Sequence, residues 1–132
     1  MTRFAIDAAV AVQLARDEVR TGSEHQLVAP SLLRSEVLSM LYRAVRDGTL
    51  EDKHARLLLD RVTTMKIRLL GDRVSRAVAW QIAAELGWND TPRAEYLAVA
   101  KLQADRLVTF DPVLERAAPS YVATAPVDEL YV

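Results

Sequence analysis

The chain has no cysteine, and this absence excludes disulfides, thiolate metal sites, iron–sulfur clusters and cysteine nucleophiles together. Glycine is scarce, with four residues that stand apart at Gly22, Gly48, Gly71 and Gly87, so no glycine-rich loop exists to cradle the phosphates of a nucleotide. Of the two histidines, His25 falls in a polar stretch and His54 on a charged helix; neither sits near a credible nucleophile, and both read as solvated. Long apolar runs are missing too. The opening Met-Thr-Arg-Phe-Ala-Ile-Asp meets an acid before any such run develops, which argues against a signal peptide or a membrane span and for a cytoplasmic protein. Nor does one sign of charge dominate: 17 basic and 18 acidic residues leave a formal net charge of −1, so any contact with nucleic acid must come from local patches.

What is present describes one ordinary domain, residues 1–132. That length, with 51% hydrophobic and 27% charged residues, is enough to bury a core unaided. Fourteen of the 17 basic residues are arginine, whose planar fork suits phosphate and carboxylate; a GC-rich genome accounts for the same bias without any function.

Hydrophobic periodicity alternates between strand and helix. Phe4-Ala5-Ile6 is a short apolar run that stops at Asp7, and Ala8 to Ala15 is apolar almost all round, giving a buried strand followed by a buried helix. Arg16 to His25 reads as a surface loop, containing Gly22 and Ser23, before a second strand at Gln26-Leu27-Val28-Ala29. From Leu32 to Asp47 the stripe Leu33, Val37, Leu41 and Ala44 predicts a helix that Gly48 terminates, and Glu51 to Met65 predicts another. Lys66 to Leu70 alternates as a third strand. Asp72 caps the next helix, which runs to Leu86 before Gly87. Asn89-Asp90-Thr91-Pro92 supplies caps and a first-turn proline for a helix from Arg93 to Gln103. Arg106 to Thr109 is a fourth strand, Pro112 to Ala117 a short helix, and Tyr121 to Thr124 a possible edge strand. Strands separated by helices argue for an α/β fold: a mainly parallel sheet of four to five strands with helices on both faces.

In such sheets ligands gather at the carboxyl ends of the strands, where Asp7 and Asp111 each fall between a strand and a helix. Each reads as an N-cap, a common role worth about 1 kcal/mol, or as one member of a carboxylate cluster. Glu36 lies in an otherwise apolar helix beside Leu32, Leu33, Val37 and Met40; a carboxylate there is partly exposed, paired with Arg43, or coordinating something. Close carboxylates repel unless a hard cation joins them. Mg²⁺ or Mn²⁺ would lower the pKa of an attacking water and neutralise charge on a phosphate. A receiver domain would need an acidic pair after the first strand, and a haloacid-dehalogenase phosphatase two aspartates one residue apart; Asp7 is followed by Ala8 and Ala9.

At these residues the chain resembles the PIN-domain family, particularly its VapC-type toxins. The resemblance runs through Phe4-Ala5-Ile6-Asp7, then Val28-Ala29-Pro30-Ser31 leading to Ser35-Glu36-Val37-Leu38, and finally Ala94-Glu95-Tyr96-Leu97-Ala98-Val99-Ala100 with Leu107-Val108-Thr109-Phe110-Asp111. It implies a PIN-like three-layer α/β/α sandwich and a Mg²⁺- or Mn²⁺-dependent endoribonuclease with Asp7, Glu36 and Asp111 as catalytic metal ligands. Thr109 would orient a metal-bound water. Two departures stand out. Ala8 and Ala9 replace the small hydroxyl residues that usually follow the first acid, and Arg93 occupies the usual place of the third acid. Asp90, one helical turn earlier, is the preferred substitute ligand over Glu95, which would point well round the helix.

Arg93 could instead meet an RNA phosphate, or mark a chain that keeps the fold as a nuclease-impaired module binding an antitoxin or RNA without efficient cleavage. The resemblance further implies a VapB-type antitoxin partner, an RNA substrate, no membrane association, and a homodimer or a heteromeric toxin–antitoxin assembly. Leu57-Leu58-Leu59 with the preceding helix would form a docking surface, or simply core. Trp80, Trp88, Tyr42 and Tyr96 read as core or interface anchors, each alone on its element.

Overall fold

The computed structural model describes residues 1–19 and 24–131. Five strands form one sheet: β1 (Thr2–Ile6), β2 (His25–Pro30), β3 (Ile67–Leu70), β4 (Arg106–Val108) and β5 (Ala123–Thr124). Between them lie α1 (Ala8–Arg16), α2 (Leu33–Arg46), α3 (Asp52–Thr64), α4 (Arg73–Leu86), α5 (Pro92–Gln103) and α6 (Pro112–Ala117). The sheet order is β3-β2-β1-β4-β5, and every pairing is parallel.

That order fixes where the helices go. A parallel crossover is right-handed in about 98% of cases, so the chain moving from β1 through β2 to β3 lays α1, α2 and α3 on one face. The path then reverses across the sheet to β4 and β5, which puts α4, α5 and α6 on the other. The packing agrees: α1, α2 and α3 pack on one another, while α5 lies against β1, β2 and β4 with α4 beside it. The result is a three-layer α/β/α sandwich.

Composition explains the tight layers. β1 and β2 are buried on both faces, with Phe4, Ala5, Ile6, Leu27, Val28 and Ala29 at 2% exposure or less. In α5 the small side chains Ala94, Ala98 and Ala100 are fully buried, letting the helix approach both the sheet and α4. Asp72 starts α4 with a reciprocal cap, its carboxylate accepting from Ser75 N–H at 2.8 Å while Ser75 Oγ accepts from Asp72 N–H at 3.0 Å. Gly87 ends the same helix at φ +68°, in the left-handed region that a side chain disfavours.

Several expectations need correction. His25 is not in a loop: it opens β2, its ring packs edge-on against Phe4 at 5.1 Å, and its Nδ1 is enclosed without a hydrogen-bond partner among the described residues. Arg16 likewise belongs to α1; of the expected loop, Gly22 and Ser23 lie outside the described residues. Leu58 is core at 0% exposure, because it faces inward while its neighbour Leu57 turns to solvent. Trp80 is 75% exposed and Tyr42 65%, so neither anchors the core. The fourth strand stops at Val108, because Thr109 leaves the ladder for a side-chain role.

Candidate active site

β1 and β4 are neighbours whose following helices leave to opposite faces, so a crevice opens beyond their carboxyl ends, the usual ligand position in open parallel sheets. Register decides what stands there. Ile6 pairs with Val108, so the next residues, Asp7 and Thr109, meet across the crevice. Thr109 Oγ1 donates to Asp7 Oδ2 at 2.5 Å and accepts from the Asp111 N–H at 3.0 Å. One hydroxyl therefore ties the two aspartates together. Phe110 N–H also donates to Asp7 Oδ2, at 3.3 Å.

Both aspartates are caps as well as rim residues. Asp7 Oδ1 accepts from Val10 N–H at 2.9 Å at the start of α1, and Asp111 Oδ1 accepts from Val113 N–H at 3.0 Å at the start of α6. The helix N-termini stabilise negative charge at these positions. Asp7, 6% exposed, is the one charged side chain buried among the described residues.

Glu36 stands in the first turn of α2 and takes a hydrogen bond from Tyr96 of α5, not from Arg43. The Tyr96 hydroxyl donates to Glu36 Oε1, crossing from one helical layer to the other in the cleft beyond the strands' carboxyl ends. Burial, then the Glu36 carboxylate beside it, holds the Tyr96 phenol well above the usual tyrosine range, so it stays a neutral donor. Sequence reasoning did not assign Tyr96 to the site. Its signal was a lone large polar aromatic in a helix of small residues, one turn after Arg93.

Arg93, also in the first turn of α5, donates from Nε to Asp111 Oδ2 at 2.7 Å. Its guanidinium is held even more firmly protonated than usual, first by that hydrogen bond and then by the charges of Asp111, Asp90 and Glu36. Asp90 is exposed and makes no cap; Thr91 takes the N-cap position of α5 without a side-chain bond. Glu95 is half-buried, and burial followed by the Glu36 charge pushes its carboxyl up.

These groups surround a cleft of about 370 Å³, lined by Asp7, Glu36, Asp90 and Asp111 together with Arg93 and Tyr96. Glu95 is not in its wall. The donors are carboxylate oxygens, with no histidine or sulfur ligand among the lining residues other than the thioether of Met40. Such a set fits a hard divalent cation in chemical type. No group of three or more acids, histidines or cysteines among the described residues is drawn together closely enough to hold a metal ion.

A second surface lies away from the cleft. Leu38 and Tyr42 of α2, 55% and 65% exposed, border a shallow groove of about 180 Å³ with Ala55 and Leu59 of α3. Leu57 is also 45% exposed. Among the described residues no helix is long and apolar enough to cross a membrane.

Compared with known proteins, the chain matches no protein-family model. It matches no curated protein sequence. Among solved structures it is similar to the crystal structure of PAE2754 from Pyrobaculum aerophilum, with 21% sequence identity and a TM-score of 0.72. The superposition covers 98% of this chain and 93% of that one, so the likeness in fold extends over nearly the full length of both.

Proposed function

We propose that this chain is a PIN-type, Mg²⁺- or Mn²⁺-dependent endoribonuclease, acting as the toxin of a VapBC-type pair in the cytoplasm. One observation carries the reading: Asp7, Glu36, Asp90 and Asp111, drawn from four separate segments, line one cleft at the switch point of the parallel sheet. Four acids of unlike origin lining one cleft are difficult to explain as capping alone, although Asp7 and Asp111 do cap. The resemblance in motif order to PIN domains supports the same assignment, with Asp7, Glu36, Asp111 and Asp90 as the residues that would hold the metal. When bound, the cation would lower the pKa of water and offset charge on the phosphodiester.

The chain's own groups prepare that chemistry. Thr109 sets the rotamer of Asp7 and the backbone of Asp111 at once. Tyr96 engages Glu36 Oε1 and leaves Oε2 without a protein partner among the described residues. The exposed apolar groove of α2 and α3 supports docking of an antitoxin segment or a second copy.

A second reading is favoured by the Arg93–Asp111 ion pair, which neutralises one acid of the cluster: a nuclease-impaired module that binds antitoxin or RNA. Purified chain and Asp7→Asn, incubated with RNA and Mn²⁺, separate the two. Cleavage by the first and loss by at least about 100-fold in the second supports the enzyme. Binding without cleavage by either supports the module. Sequencing RNA ends after expression of each protein then identifies the substrate.

A further inference from the structure

We infer that Arg93 is a tethered counter-ion which sets the divalent-cation affinity of the cleft, because its guanidinium must leave Asp111 before that carboxylate can ligate a metal. The inference rests on the metal-site reading above and concerns this chain's own departure from it.

Three features of the geometry support it. Arg93 Nε sits 2.7 Å from Asp111 Oδ2, and Asp111 Oδ1 is committed to the Val113 N–H, so both oxygens of this acid are occupied from within the chain. The guanidinium lies in the wall of the cleft that Asp7, Glu36 and Asp90 share, where its positive charge stands in for a cation and repels a second one. The pair is also releasable. The Arg93 side chain is 49% exposed and begins at the first turn of α5, so it can swing to solvent without disturbing the core, whereas Asp111, at 25%, is held in place by its cap. Exposed ion pairs are weak latches, so Arg93 lowers metal affinity without abolishing it.

The consequence is an exchange: metal enters as Arg93 departs. Replacing Arg93 by glutamine removes the competitor and its charge, and should tighten Mn²⁺ binding on the order of tenfold. Arg93→Lys keeps the charge and should stay within about threefold of the unaltered chain. Without metal, Arg93→Gln leaves the acids uncompensated, so its melting temperature should fall below that of the unaltered chain and rise more steeply with added Mn²⁺.

The experiment is calorimetric titration of Mn²⁺ into EDTA-stripped unaltered chain, Arg93→Gln, Arg93→Lys and Asp7→Asn, with thermal melts of each confirming that it is folded. Tighter binding by Arg93→Gln, or binding by that variant alone, supports the inference. Measurable, Asp7-dependent binding by the unaltered chain with no gain in Arg93→Gln overturns it and leaves the metal site standing. No Asp7-dependent binding in any variant overturns both.

Discussion

Removing the Tyr96 hydroxyl while keeping its ring, by Tyr96→Phe, isolates a bond that joins the two helical layers at the cleft. Tyr96 is 3% exposed, so the ring's packing is unchanged and only the donor to Glu36 Oε1 is lost. A hydrogen bond to a charged group is worth about 1.5–3 kcal/mol, and because Glu36 is half-exposed, water recovers part of it, leaving a net loss of about 1–2 kcal/mol at pH 7. For a domain of this size that lowers the melting temperature by roughly 4–8 °C. The effect should also depend on pH. The folded phenol is raised above its usual value of about 10 and stays protonated, while the unfolded one ionises, so the unfolded state binds fewer protons and stability falls as pH rises past 10. At pH 11 this subtracts about 1.4 kcal/mol from the unaltered chain and nothing from Tyr96→Phe, so the gap between them should nearly close. Tyr121 and Tyr131 are present in both proteins and cancel in the difference. The assay is urea denaturation in EDTA at pH 7 and pH 11. A gap of the same size at both values would refute the assignment of a neutral, buried donor.

Other expected outcomes test separate parts of the structure. A Cβ at Gly71 would stand 2.6 Å from Ser31 Oγ, an exposed hydroxyl that can rotate away, so Gly71→Ala should shift stability by no more than about 1 kcal/mol in denaturation curves. Thr109→Val removes the donor to Asp7 and the acceptor for the Asp111 N–H, and should reduce metal-dependent RNA cleavage by about 10- to 100-fold, with Thr109→Ser retaining most of it. Asp72 is held below the usual carboxylate range by its bonds to Ser75; its contribution is present above the unfolded value and is lost as pH falls through the folded one. Asp72→Ala should therefore lower the melting temperature at pH 7, by an amount that shrinks as the pH is brought down below the usual carboxylate range, as circular-dichroism melts would show.

Most of the fold was legible because the apolar pattern changes period at each boundary. The stripe Leu33, Val37, Leu41 marks α2, and those three are its buried residues. Asp72 and Gly87 bracket α4 through local chemistry that a sequence displays directly. The site was legible one acid at a time, since a strand end followed by an aspartate is a local signal. Its connections were not. Tyr96 meets Glu36 across 60 residues, between helices of opposite layers, and Arg93 meets Asp111 across 18, between the starts of two helices of one layer; such pairings depend on how the helices converge above the sheet. Leu57-Leu58-Leu59 shows the same limit, for composition alone does not say which of three adjacent leucines turns inward.

The register of β1 against β4 has a consequence for synthesis. Asp7 leaves the ribosome well before Thr109, which orients it and follows 102 positions later. At roughly 5–20 residues per second that interval lasts about 5–20 s. Through that interval the nascent chain carries Asp7 without the strand that completes the crevice, so a chain cut short before β4 would have no crevice. A cleft whose acids meet only when β4 inserts cannot assemble before that strand has been made.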